Sequence, residues 1–119
     1  MTNLTEKTNF ELNVLVAMLE HPELAKHPDD MIKECDGGSA LFEWAPEFTD
    51  DWWRQECYDY TGEWEQMGPI MIKNCIQYSF DTCQVHVSSY FNESAKCSAR
   101  HDELLRCAAI CYLMMKGAE

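Results

Sequence analysis

The chain reads as an α+β fold: an N-terminal helix, a long aromatic and acidic connection, a three-stranded antiparallel meander, and a buried C-terminal helix packed on the sheet. Three observations carry that reading. A capping signature opens a helical apolar period near the start, β-branched and aromatic runs with short links follow Pro69, and the run from Cys107 to Met115 is apolar almost all the way round. At 119 residues the chain can close one core without disulfides or metal, so residues 1–119 are read as a single domain.

Thr8 followed by Glu11 has the form of a capping box. Phe10, Val14 and Met18, or Leu12, Leu15 and Leu19, then recur at helical spacing, which predicts a helix over 9–20 that stops at Pro22. Between 22 and 68 the prolines of HPELAKHPDD, the Gly37-Gly38 pair, Pro46 and Gly62 break any long period. Only a short helix over 29–34, DDMIKE, suggests itself there. From Pro69 the runs PIMIK, IQYSF and CQVHVSSYF, linked by Asn74-Cys75 and Asp81-Thr82, predict the meander. Its buried faces are expected to carry Ile76, Tyr78 and Phe80 from the second strand and Cys83, Val85 and Val87 from the third. After the loop NESAKCSARH, Asp102 is placed to cap the final helix, ELLRCAAICYLMMK, which Gly117 ends. Arg106, inside that apolar helix, must reach past its neighbours to water or meet a carboxylate, with Glu11 the candidate partner.

Nine Lys and Arg stand against 21 Asp and Glu, a formal charge of −12. Repulsion from phosphate on that scale argues against direct nucleic-acid binding and points to a basic partner. No window of about 18 apolar residues is present and the N-terminus MTNLTEKTNF lacks the basic start and apolar core of a signal peptide, so a cytoplasmic protein without a membrane span is expected. In a reducing compartment the seven cysteines, an odd number, read as small core residues, with Cys57 the most exposed.

Three separated blocks, NFELNVLVA, PIMIKNCIQY and LLRCAAICYLMMKGA, resemble the best-marked segments of the NinX-like family of small tailed-phage and prophage proteins. The residues that carry the likeness are Phe10, Glu11, Asn13, Val16 and Ala17; Pro69, Ile70, Asn74 and Ile76; and Leu105, Arg106, Ala108, Ile110, Leu113, Met114 and Met115. Two departures stand out: the family has Asn-Gly where this chain has Asn74-Cys75, and a Trp before Pro-Ile where this chain has Gly68, with Trp64 four residues back. The acidic middle, 43–65, matches the family poorly. The resemblance implies an accessory protein working in the cytoplasm of a bacterial host cell and implies no activity. Accessory phage proteins of this size often bind and inhibit a host protein, an association rather than a mechanism.

Chemical alternatives are weaker. Cys97, His101, Cys107 and Cys111 have spacings from which zinc ligands could converge, though Cys107 and Cys111 also suit a helix core, where the family carries apolar residues. His86 shares an outward strand face with Gln84 and Ser88 while Cys83 points the other way, and His21 and His27 flank prolines as surface residues, so no nucleophile with a base and an orienting group can be named. Carboxylates abound without an EF-hand pattern, and Gly37-Gly38 lacks the lysine of a phosphate loop. No enzyme activity and no cofactor are therefore expected.

The strongest hint lies in DDWWRQECYDYTGEWEQ, residues 50–66, which holds six acids against Arg54 alone and three of the four tryptophans. Rings can seal a contact while carboxylates steer a basic surface toward it. The expected partner-binding set is Asp50, Asp51, Trp52, Trp53, Glu56, Tyr58, Asp59, Tyr60, Glu63, Trp64 and Glu65. The bland alternative is that Trp44, Phe48 and Trp53 simply cover a sheet face. The function expected is an inhibitor or modulator of a basic host protein, in its sharpest form a nucleic-acid mimic; a structural or homo-oligomeric assembly module is the alternative, and a zinc protein the remote one.

Overall fold

Thr8 starts the first helix as its sequence implies. Its hydroxyl accepts from the Glu11 N–H at 3.2 Å, the Glu11 carboxylate accepts from the Thr8 N–H at 3.0 Å, and α1 runs Asn9–Glu20 before Pro22 forbids continuation. The computed structural model describes residues 4–26, 31–44 and 54–117. No helix among them is long and apolar enough to cross a membrane.

The expected long connection is largely built of regular structure. Strands β1 (Ile32–Glu34), β2 (Ala40–Trp44) and β3 (Arg54–Tyr58) form an antiparallel sheet in that order, with Ile32 opposite Phe42 and Ala40 opposite Tyr58. Residues 32–34 are thus strand and not the short helix expected over 29–34, whose first two residues lie outside the described ones. A tight turn joins β1 to β2, and Gly38 presses on α1 there: a Cβ on it would come within 2.8 Å of Asn9 Cβ. Lys33 Nζ pairs across the sheet with Glu43 Oε1 at 3.0 Å, which is how a buried carboxylate survives there.

Next comes α2 (Trp64–Lys73), which replaces the first predicted strand, PIMIK. Proline and two β-branched isoleucines mimic a strand run, yet the buried residues Met67, Gly68, Ile70 and Met71 follow helical spacing, and Pro69 sits on the exposed side, where a lost helix bond is cheapest. Trp64 lies one turn before Gly68, and its indole covers that glycine so closely that a Cβ there would meet Nε1 at 3.0 Å. Asn74-Cys75 is accordingly the exit of α2 and no hairpin turn, and Cys75 holds a left-handed φ of 51°.

The predicted meander exists with other members: β4 (Ile76–Phe80), β5 (Val85–Ser89) and β6 (Lys96–Ala99), antiparallel in that order. The third strand comes from the expected loop NESAKCSARH, whose alternating Cys97 and Ala99 are too short a signal to stand out. Cys83 belongs to the exposed 81–84 turn rather than a buried face. Finally α3 (Leu104–Met115) is buried from Cys107 to Leu113 and packs on the sheet, chiefly over β5 and β6, giving the α+β architecture expected. Asp102 does not cap it. Glu103 occupies the cap position without a side-chain bond, while Asp102 pairs with Arg100 at 3.4 Å. Gly117 follows the helix at φ 71°, as predicted.

One polar residue ties these parts together. Asn13 of α1, fully buried, donates through Nδ2 to the Gly38 carbonyl at 3.0 Å and to Thr61 Oγ1 at 3.2 Å. Its Oδ1 accepts from the backbone N–H groups of Tyr60 at 2.7 Å and Thr61 at 3.1 Å. Helix, β1–β2 turn and the β3–α2 corner thereby meet on one amide. Arg106 makes a second tie, to Asn9 Oδ1 at 2.7 Å and the carbonyls of Lys7 at 2.6 Å and Thr5 at 3.0 Å, with Glu103 as its ion pair at 3.7 Å. Glu11, the expected partner, is engaged in its own cap.

Asn13→Ala would leave the buried N–H of Tyr60 and the partly buried N–H of Thr61 unpaired, and a loss of about 3 kcal/mol is expected in denaturant unfolding. In the opposite direction, Cys75→Gly relieves a left-handed cysteine and should raise stability by about 0.5 to 1 kcal/mol in the same assay.

Candidate functional site

The predicted partner-binding residues divide into three groups. Asp50, Asp51, Trp52 and Trp53 lie outside the described residues, as does Phe48, and the described residues likewise exclude the side chain of Trp44. Glu56, Tyr58, Asp59 and Tyr60 turn out to hold the structure. Tyr58 donates its hydroxyl to Glu56 Oε2 at 2.5 Å, and its ring meets Phe42 edge-on at 5.5 Å and stacks parallel to Tyr60 at 5.9 Å. Burial first, then the Glu56 bond, pushes the Tyr58 phenol above its ordinary range; burial and the Glu20 charge do the same for Tyr60. Asp59 joins the Asn13 cluster through Oδ1 at 3.4 Å, and its own N–H is taken by Gln66 Oε1 at 2.8 Å. Tyr60 is buried. Among the described members of the set, Glu63, Trp64 and Glu65, at the start of α2, are the exposed ones.

Trp64 does not stand alone. Its ring contacts Tyr78 edge-on at 6.4 Å, Tyr78 contacts Phe80 at 5.7 Å, and Phe80 contacts His101 at 5.3 Å, an aromatic row that runs from α2 across β4. Relative exposures of 49% for Trp64, 46% for Tyr78 and 53% for Phe80 are high for such rings in a folded chain. The cause is the width of the helix layer. Tyr78 lies opposite Val87 and Phe80 opposite Val85, so all four side chains share the core-facing side of the sheet. Both valines are buried under α3, but that helix reaches β4 only weakly and leaves the tyrosine and phenylalanine as an open shelf at the sheet edge. Sequence reasoning had the face right and the cover wrong. The legible signal was the alternation of Ile76, Tyr78 and Phe80; nothing in it says that one helix covers two strands of three. Glu63 and Glu65 flank Trp64, so the α2 end of the shelf is bordered by acids.

The zinc set does not gather. Cys97 and Cys107 share a thiol contact at 3.3 Å and Cys111 donates to the Ala95 carbonyl at 3.1 Å, but His101 faces away, with Nε2 at 2.8 Å from the Asp81 carbonyl. Among the described residues no three metal-ligating side chains converge. Burial pushes the Cys111 thiol up to about 11, while the Cys97–Cys107 contact raises Cys107 and lowers Cys97; all three thiols are buried in the core.

A Ser98–His86–Asp81 chain that sequence spacing concealed lies on the opposite, outer sheet face. His86 Nδ1 is 2.7 Å from Ser98 Oγ and Nε2 is 2.5 Å from Asp81 Oδ2. All three are exposed, and Asp81 Oδ1 also accepts from the Cys83 and Gln84 N–H groups at 2.8 and 2.7 Å. The arrangement clamps the β4–β5 turn and ties β5 to β6. It has no enclosed cleft in which to hold a reacting group.

With this geometry in place, comparison with known families is decisive. The family model for bacteriophage P22 NinX matches residues 3–116. The chain belongs to the NinX family. No curated protein and no solved structure matches it. The match spans both sheets and the three α-helices of the described residues, and its bounds take in the acidic middle. Asn13 and Arg106, two of the residues that carry the resemblance, are the two polar ties of the fold.

The bond to His86, then those to Cys83 and Gln84, hold the Asp81 carboxyl well below its ordinary value of 3.8. A depressed carboxylate contributes stability that is complete above its unfolded value and is lost as pH falls below it. Below about pH 4, therefore, thermal midpoints should fall more steeply for the native chain than for Asp81→Asn.

Proposed function

We propose that this phage accessory protein binds a basic host protein through an acidic, aromatic surface centred on Trp64, Tyr78 and Phe80, and so inhibits or modulates it. The observation that carries the reading is the half-exposed aromatic row bordered by Glu63 and Glu65 on a chain of net charge −12. Large rings left in water cost free energy unless a contact covers them, and carboxylates around them favour a basic partner and speed its approach. Where that partner normally holds nucleic acid, the carboxylates would stand in for phosphates. The proposal is of a binding protein and not an enzyme, since the catalytic-looking chain found among the described residues, Ser98–His86–Asp81, spends its hydrogen bonds on holding strands. Asp50, Asp51, Trp52 and Trp53 remain part of the proposed surface by composition, whereas Asp59 and Tyr60 leave it, being committed to the fold.

The test is a pull-down with the tagged chain from nuclease-treated bacterial lysate at low and high salt, followed by association kinetics on the protein recovered. A basic protein is expected, retained at low salt and released at high salt. Glu63→Gln with Glu65→Gln should slow association about threefold to tenfold and flatten its salt dependence. Trp64→Ala or Phe80→Ala should instead speed dissociation about tenfold or more. Recovery of the bait alone as a defined oligomer would replace this reading with an assembly module.

A further inference from the structure

The hydrogen-bond phase of the second sheet shows what its edge offers. Tyr90 N–H bonds the Cys75 carbonyl and Asp81 N–H bonds the Gln84 carbonyl, both at 2.9 Å. In an antiparallel pair the bonded positions recur every second residue, so Gln77 and Ser79 also bond inward to β5, in register with Ser88 and His86. The N–H and C=O groups of Tyr78 and Phe80 consequently point away from the sheet, along the free edge of β4. No hydrogen bond among the described residues reaches them. The edge also lacks the usual protection: Ile76–Phe80 contains no lysine and no proline, and its pairing with β5 runs without a bulge.

We propose that the free edge of β4 accepts an extended basic segment of the partner as a fourth strand of this sheet. The proposal rests on the acidic-surface reading and adds the mode of contact. Tyr78 and Phe80 supply both halves of the recognition: outward backbone groups pair with the incoming strand, and their rings, with Trp64, form the shelf on which its inward side chains continue the core. Charge selects the occupant. A second copy of this chain would bring another −12, whereas a segment carrying Lys or Arg among apolar residues meets Glu63 and Glu65 beside the shelf.

The probe is an end-capped heptapeptide of alternating Lys and Val, beside the same peptide N-methylated on alternate residues, with amide hydrogen exchange of the full chain read by NMR. In the free protein the Tyr78 and Phe80 amides should exchange fast while Gln77 and Ser79 are protected. The unmethylated peptide should slow Tyr78 and Phe80 by about tenfold or more, and the methylated one should not. Phe80→Pro, which removes only an outward N–H from the backbone, should abolish the protection of the Tyr78 amide, whereas Phe80→Leu keeps it. Peptide binding that depends on salt but leaves Tyr78 and Phe80 unprotected, or that N-methylation does not weaken, would overturn strand addition while the acidic surface stands. Protection of the two amides in the free protein would overturn it as well, by its own chain if independent of concentration and by self-association if not. Absence of binding at millimolar peptide would count equally against it, and the pull-down then decides separately whether the acidic surface survives.

Discussion

The buried amide of Asn13 is the constraint on which the arrangement of this chain turns. An unpaired amide in a dry core costs more than its hydrogen bonds return when paired, so its value lies in allowing only one disposition of its partners. Here those partners are the carbonyl of Gly38 in the β1–β2 turn and the N–H groups of Tyr60 and Thr61 at the β3–α2 corner. One end of the first sheet, where the β1–β2 turn and the exit of β3 lie side by side, is thus referred to one turn of α1. The close approach of Gly38 to Asn9 follows from the same contact, because the turn must come within hydrogen-bond reach of the helix. Arg106 repeats the device from the other side, tying α3 to the backbone that leads into α1. Its guanidinium spreads across three acceptors in a fixed plane, which a lysine could not do.

Once α1 and α3 are placed, the aromatic shelf is a matter of coverage. A helix is about 10 Å across and neighbouring strands are about 4.8 Å apart, so one helix on a three-stranded sheet covers about two strands. The helix α3 lies over β5 and β6, buries Val85 and Val87, and leaves Tyr78 and Phe80 at the margin. In a chain of this length no further element among the described residues closes the gap except the first turn of α2, which brings Trp64 alongside. The exposed rings therefore arise from the same packing that makes the core.

Acidity and aromaticity, fused in one stretch of sequence, are separated in space. Tyr58 and Tyr60 turn inward and their phenols are held neutral by burial and neighbouring carboxylates, while Glu63 and Glu65 stay in water at the head of α2. Composition alone treats these residues as equivalent members of one surface. Strand alternation and the demand of Asn13 for two adjacent N–H groups decide which of them face the core.

Local signals determined the helix at Thr8, the stop at Pro22, the buried run of α3, the sheet built on IQYSF and VHVSS, and, through three marked blocks, the family; each depends on neighbours within a turn or a strand. The acidic charge was equally legible, since charge is additive whatever the fold. Tertiary structure alone decided the rest. PIMIK is helical because Met67, Ile70 and Met71 find a core on one side, a preference that Pro69 and two isoleucines hide at short range. Residues 32–34 and 96–99 are strands because partners at Phe42 and Val87 await them, and pairing across such separations leaves little trace in three or four residues. Arg106 meets carbonyls instead of Glu11 because the capping box already holds that carboxylate. The edge of β4, unpaired among the described residues, is the extreme case: an outward-facing backbone has no residue code and follows only from the order of the strands.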